Sequence, residues 1–227
     1  MRRAGRALRV DGAAWVVLSV SACLAGVAVT AACARLGEPP SATPLALYLD
    51  WQPARGLSEP WRLWTCAWVH GSIAHLLANV AGAAVLAFVG WRARLAPAAA
   101  LAWLLAWPGT QLLMAAIGSP RLAAVMPHYF GLSGVLHAGA VVLGLSLARP
   151  RAHAHTHALE PPRRERWIGL AIVAGTLVKV ALEAPWTLAP HADETLGIAV
   201  APVAHACGIG AGLLAWAALG LVLRRAS

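Results

Sequence analysis

The chain has 227 residues, of which 59% are hydrophobic and 12% are charged. That is about half the charged fraction of an average soluble domain, and no Asp, Glu, Lys or Arg occurs between Arg62 and Arg92. The composition argues against an ordinary soluble protein. It predicts a single all-α membrane domain over residues 1–227, with no room for a separate soluble domain.

Six apolar segments along the chain predict membrane-spanning helices. Each has roughly 20–29 residues, enough to cross a hydrocarbon core of about 30 Å. The first segment follows a basic start, as in a signal peptide, but its apolar part is too long for one and predicts a membrane anchor. The predicted spans are Ala13–Ala34, Leu63–Gly90, Leu95–Ile117, Tyr129–Ala148, Trp167–Leu188 and Leu196–Leu223.

The basic residues give these spans an orientation. The net charge of +9 would suit nucleic acid, but its distribution follows the predicted topology instead. Thirteen arginines fall on the side of the N-terminus and four on the opposite side (Arg35, Arg55, Arg62 and Arg121). Positive charge is enriched on the cytoplasmic side of membrane proteins. We therefore predict cytoplasmic N- and C-termini and contact with anionic lipid rather than nucleic acid.

Metal and disulfide sites are not indicated by the cysteines and histidines. The four cysteines show no CxxC spacing. The inner loop Arg149–Arg166 carries an alternating run of histidines, but this spacing in a basic loop is usually incidental. The outer loop Arg35–Arg62 contains "LALYLDW", an amphipathic piece suited to a membrane surface. We predict no metal and no cofactor, with the role of the histidine run left open: His153, His155 and His157.

Polar side chains within the predicted spans are costly in lipid, so each requires a reason. The second, fourth and sixth spans all start at the outer face. His75, Ser133 and His205 lie one to three turns below those starts. They can therefore meet at one level in the outer half of the membrane. The other polar residues at helical spacing are Asn79, His137, Lys179 and Glu183.

This set of residues suits nucleophilic catalysis. A serine hydroxyl is a weak nucleophile until a base takes its proton, and His205 is the candidate base for Ser133. A Ser-His pair without an acid is workable if packing holds the imidazole. The side chains of Asn79 and His75, with the backbone N–H of Ser133, can form an oxyanion hole. Glycines would permit a tight backbone and close helix packing: Gly131, Gly134, Gly208, Gly210 and Gly212.

Four ordered motifs resemble those of rhomboid intramembrane serine proteases. They are "EPWRLWT" (59–65), "HGSIAHLLAN" (70–79), "GLSG" (131–134) and "AHACGIGAG" (204–212). The resemblance implies a six-helix rhomboid-like bundle, with Ser133 and His205 as the catalytic pair and His75 and Asn79 as oxyanion donors. It also implies membrane-anchored protein substrates and an active site that opens to the outer side of a bacterial inner membrane.

Two departures make the chain similar to the rhombosortase branch. His137 stands where many rhomboids have an aromatic residue four positions after the serine. Lys179 and Glu183 stand in a span that is ordinarily apolar. This likeness implies cleavage of C-terminal GlyGly-CTERM tails. We predict that His137 packs beside His205, with substrate contact the alternative. The Lys179–Glu183 pair is either a buried, self-neutralising pair or a device that orients or gates the substrate.

Two other classes of function compete with the protease. A non-catalytic rhomboid-like protein would bind transmembrane helices, but such relatives typically lack the serine or the histidine. A transporter would use Lys179, Glu183 and the histidines as a proton relay and would show an internal repeat. No such repeat is evident in the sequence.

Overall fold

The computed structural model describes residues 12–35, 40–149 and 163–225. In these residues the fold is mostly helical, with one small antiparallel sheet. The helices are α1 (Ala13–Ala34), α2 (Pro44–Leu49), α3 (Arg62–Thr65), α4 (Ile73–Arg92), α5 (Pro97–Val125), α6 (Ser133–Ala148), α7 (Arg163–Leu182) and α8 (Pro202–Arg225). The strands are β1 (His191–Asp193) and β2 (Ile198–Val200).

Four helices of the described chain are long and apolar enough to cross a membrane. They are α1, α4, α5 and the part of α8 from Pro202 to Leu223. α6 is apolar but shorter, with 16 residues. Large apolar side chains on these helices point away from the protein, including those of Val17, Val85 and Leu214. Lipid is the solvent that suits such a surface, so the protein is a multi-pass membrane protein.

Helix α6 lies at the centre of the fold and packs against α4, α5, α7 and α8. Val135, Ala138 and Val141 on this helix are completely buried. The indole of Trp103 on α5 donates a hydrogen bond of 2.7 Å to the carbonyl oxygen of Val135. A central helix must be apolar on every side, and the sequence of α6 has that character.

Glycines allow two helices to approach α6 closely. A Cβ atom on Gly208 of α8 would lie 2.0 Å from the carbonyl oxygen of Gly134, and one on Gly212 would lie 2.7 Å from that of Ala138. A Cβ on Gly144 would lie 2.7 Å from the carbonyl oxygen of Gly169 on α7. Small residues let membrane helices pack backbone against backbone. Gly210 is different from the prediction, because it faces α5 rather than α6.

A buried arginine holds the loop between α1 and α4. The Arg62 guanidinium donates to the carbonyl oxygen and to the carboxylate of Asp50, at 2.6 and 3.0 Å. It also pairs with Glu59, and the bond from Arg62 is the first cause of a lowered pKa at Glu59. The Thr65 hydroxyl donates to the carbonyl oxygen of Leu49. These bonds satisfy a buried charge and fix "EPWRLWT" against the amphipathic α2.

The second predicted span was wrong in extent, because the segment from Leu63 to Gly90 is not one helix. α3 is followed by a 3-10 turn, Cys66–Trp68, and the long helix α4 begins only at Ile73. Ser72 marks the start, since its hydroxyl accepts a hydrogen bond of 3.0 Å from the backbone N–H of His75. A serine in this position is a favourable helix N-cap.

The third and fourth spans also have different ends from those predicted. α5 continues past Ile117 to Val125, across non-helical backbone at Gly118, where φ is 129°. Tyr129 lies outside α6, because its backbone N–H and carbonyl oxygen both pair with Trp51. That pairing attaches the chain before α6 to the loop between α2 and α3.

The fifth and sixth predicted spans are shortened by a hairpin. α7 ends at Leu182, and Ala184 adopts a left-handed φ of 52° just before Pro185. The residue before a proline is disfavoured in the right-handed helical region, and proline has no N–H to continue the helix. Residues 191–200 then form the β1–β2 hairpin, so the last helix begins at Pro202 rather than Leu196.

Candidate active site

Ser133 is the first residue of α6, directly after a sharp turn of the backbone. Gly131 has a φ of 117°, a conformation that favours glycine. Its N–H donates a hydrogen bond of 2.9 Å to the carbonyl oxygen of Cys66, and a Cβ atom would lie 2.7 Å from the ring of His75. Since the first N–H groups of a helix have no partner within it, the backbone N–H of Ser133 is available to a ligand.

His205 lies in the first turn of α8 and reaches Ser133. Its Nε2 atom is 2.9 Å from Ser133 Oγ, at hydrogen-bond distance. The close contact of Gly208 with Gly134 brings the two helices together at this level. The side chain of His205 is 5% exposed, so the hydrogen bond is shielded from solvent. The structure thus brings together the serine and histidine that the sequence analysis pairs.

Glu183 binds the other nitrogen of the His205 ring, a contact that sequence analysis missed. The Glu183 Oε2 atom is 2.7 Å from His205 Nδ1, and its Oε1 atom is 2.5 Å from Lys179 Nζ. The Lys179 and Glu183 side chains are 53% and 22% exposed, so the protein itself does not enclose the pair. The expectation of a Ser-His pair without an acid therefore differs from the arrangement observed. The sequence signal that could have indicated this contact is the presence of a carboxylate, Glu183, in an otherwise apolar segment.

His137 packs on His205, in the position that the sequence analysis predicts. The two rings stack with centroids 4.2 Å apart and planes 19° apart. The Nδ1 atom of His137 is 2.7 Å from the carbonyl oxygen of Ser133, one helical turn earlier. His137 is thereby fixed, and its ring covers one face of the His205 ring.

His75 and Asn79 are buried polar residues that line the same cavity as Ser133. Both side chains are 4% exposed. Within the part of the chain that the structure describes, His75 Nδ1 and Asn79 Nδ2 are buried and have no hydrogen-bond partner. Buried polar groups are almost always satisfied, so the Asn79 amide is a candidate donor to a substrate acceptor in the cavity that it shares with Ser133.

A cavity of about 920 Å³ joins these groups. Ser133, His205, His75 and Asn79 line it, together with Lys179 and Glu183. Its walls include apolar residues of α4 and α6 and residues of the β1–β2 hairpin. The Ser72 hydroxyl donates to the carbonyl oxygen of Leu196 and attaches the hairpin to the start of α4. The cavity has room for an extended peptide segment beside the serine.

The histidine run of the inner loop, His153, His155 and His157, lies outside the described residues. Among the described residues, no group of three or more His, Cys, Asp or Glu side chains could hold a metal ion. The groups around Ser133 are instead a histidine ring nitrogen at hydrogen-bond distance and the polar side chains of His75 and Asn79 in the same cavity.

A comparison with models of known protein families identifies the family of this chain. A sequence model described as the Rhomboid domain matches residues 57–222. The chain belongs to the rhomboid family. The match covers most of the chain and includes all the residues of the candidate site described above. No curated protein matches the sequence. Rhomboids are typically intramembrane serine proteases, whose substrates are membrane proteins.

Proposed function

We propose that this rhomboid is an intramembrane serine endopeptidase in which Ser133 is the nucleophile and His205 the general base. The observation that carries the proposal is the 2.9 Å contact between His205 Nε2 and Ser133 Oγ. That distance is within the range needed for proton transfer from nucleophile to base. A rhomboid-like protein that only binds helices has no need of this contact.

The reaction follows from the geometry of the site. Ser133 Oγ attacks the scissile carbonyl carbon while its proton passes to His205 Nε2. The carbonyl oxygen becomes an oxyanion, which accepts hydrogen bonds from Asn79, His75 and the Ser133 backbone N–H. His205 then gives the proton to the leaving amine as the C–N bond breaks. Water repeats the sequence on the acyl-enzyme and releases the new carboxyl group.

The proposed substrates are membrane-anchored proteins with C-terminal GlyGly-CTERM tails, in which a glycine-rich motif precedes one transmembrane helix and a basic end. His137 and the Lys179–Glu183 pair support the rhombosortase branch, to which these tails belong. A glycine pair leaves a helix easily and exposes its carbonyl groups. The cavity beside Ser133, with Lys179 at its wall, offers space for such a segment.

We further propose six spans with both termini in the cytoplasm of a bacterium and the site opening to the outer side of the inner membrane. In this proposal α6 and α7 also cross the membrane, in addition to the four long apolar helices. Support comes from the excess of arginine on one side of the predicted spans. Ser133, His75 and His205 each lie in the first turn of their helices, consistent with a site in one half of the bilayer.

Labelling with a fluorophosphonate tests the proposed function. The probe phosphonylates only an activated serine, so we expect the purified protein to be labelled and mass spectrometry to locate the label on Ser133. The Ser133→Ala variant should remain unlabelled. An active rhomboid of known reactivity serves as the positive control. Absence of labelling in the intact protein, with labelling of that control, would favour a protein that only binds helices.

The substrate proposal predicts a preference between two matched tails. We compare one membrane-anchored substrate carrying Gly-Gly with the same substrate carrying Ala-Ala. Two glycines make a helix about 2 kcal/mol easier to unwind, which corresponds to roughly 10–30-fold faster cleavage of the Gly-Gly form. The released ectodomain is quantified in proteoliposomes. Equal rates for the two substrates would contradict selection for a glycine motif.

A further inference from the structure

Glu183 lies between a cation and the ring of the proposed base. Resting on the proposed function, we propose that Glu183 is a positioning residue for His205 and that Lys179 fixes the orientation of its side chain. The carboxylate receives the Lys179 ammonium on Oε1 at 2.5 Å and His205 Nδ1 on Oε2 at 2.7 Å. Each oxygen thus has a different partner.

The hydrogen bond to Glu183 determines which ring nitrogen carries the proton. An ionised carboxylate can only accept, so His205 Nδ1 must donate. In the neutral ring Nε2 then has a free lone pair, and this is the nitrogen 2.9 Å from Ser133 Oγ. Only this tautomer can take the serine proton. When Nε2 becomes protonated, the ionised Glu183 stabilises the imidazolium, and no proton moves to the carboxylate.

Helix stability is a poor explanation for the Lys179–Glu183 pair. Partly exposed pairs at this spacing contribute little to stability, and lysine before glutamate is the weaker order. The carboxylate lies one residue past the end of α7, where the chain turns at Ala184. Glu183 nevertheless reaches α8, where its second carboxylate oxygen is 2.7 Å from His205 Nδ1, a contact that a pair serving α7 alone would not make.

The test replaces the carboxylate by an amide. In Glu183→Gln, Lys179 attracts the amide oxygen, so the NH2 group turns toward His205 Nδ1 and favours the wrong tautomer. We expect kcat to fall by about 10²–10⁴, since the same change in a serine protease costs about 10⁴. Glu183→Ala leaves Nδ1 free to bind water and imposes no tautomer, so we expect a smaller loss than in Glu183→Gln.

Removal of the lysine provides a rescue that a merely structural role would not produce. In the double variant Lys179→Met with Glu183→Gln, the amide can rotate and accept from Nδ1. We expect kcat to recover about 10-fold relative to Glu183→Gln. Glu194→Gln is the control, since it removes an exposed carboxylate from the hairpin turn outside the cavity and should leave activity unchanged.

The tautomer of His205 can also be measured without turnover, by NMR of protein labelled with ¹⁵N in its histidine rings. The His205→Ala variant assigns the signal. We expect Nδ1 of His205 to be protonated in the parent protein and Nε2 in Glu183→Gln. Equal activities of the Gln and Ala variants, with no rescue and an unchanged tautomer, would overturn the inference. An unlabelled Ser133 in the parent protein would overturn the proposed function itself, and the NMR result would still report on the positioning.

Discussion

Ser133→Ala and His205→Ala are each expected to reduce cleavage of a membrane-anchored substrate to background. Without Ser133 Oγ no acyl-enzyme can form. Without His205 the site loses the base whose Nε2 atom lies 2.9 Å from Ser133 Oγ. In a well-studied serine protease either loss costs about 10⁶ in kcat, and removing both costs little more, because nucleophile and base act as one unit. We therefore expect the double variant to match each single variant.

The measurement is substrate cleavage in proteoliposomes, with membrane insertion and thermal stability recorded for every variant. Ser146→Ala is the matched control. It removes a hydroxyl from the same helix, where Ser146 Oγ accepts a hydrogen bond from Trp216 far from the site. That variant should cleave normally. Near-normal cleavage by either Ser133→Ala or His205→Ala would contradict the proposed mechanism.

The long apolar helices could be predicted from the sequence, but several of their ends could not. No charged residue lies in Trp68–Ile73, so the predicted span crosses His70, Gly71 and Ser72, which mark the break between α3 and α4. That break depends on Ser72, which caps α4 and also binds the hairpin through Leu196. A contact 124 residues away is not visible in a local pattern. The same limit applies to Tyr129, which pairs with Trp51 instead of starting α6.

The meeting of Ser133 with His205 could be predicted, because both follow from helix starts on one side of the membrane and from glycines that allow close packing. The contact of Glu183 with His205 could not. Sequence spacing shows that Lys179 and Glu183 share a helix face, and that pair forms. Pro185 marks the end of α7 in the sequence, but the second partner of Glu183 depends on how α7 packs beside α8, which local spacing does not reveal.

The second large expected effect is a loss of kcat when Asn79 or His75, which carry the two unsatisfied nitrogens, is replaced. Asn79→Ala is expected to lower kcat by about 10²–10³, the cost of removing one oxyanion donor. His75→Ala should also lower kcat, by about 10-fold or more. His75 Nδ1 and Asn79 Nδ2 have no partner in the described structure, and both residues line the cavity with Ser133, so we expect these side chains to bind the oxyanion as it forms. KM should change little, because an interaction made only in the transition state affects turnover rather than substrate binding.

Stability provides the control for this prediction. A buried donor without a partner costs free energy in the resting protein, so Asn79→Leu, which keeps the shape but removes the amide, should unfold at the same temperature as the parent or higher. A slower enzyme that is equally or more stable is the signature of a group retained for catalysis. A rise in KM with unchanged kcat would instead mean that Asn79 and His75 bind the substrate equally in its ground and transition states. A loss of stability in Asn79→Leu that matches the loss of activity would assign Asn79 to the core packing of α4.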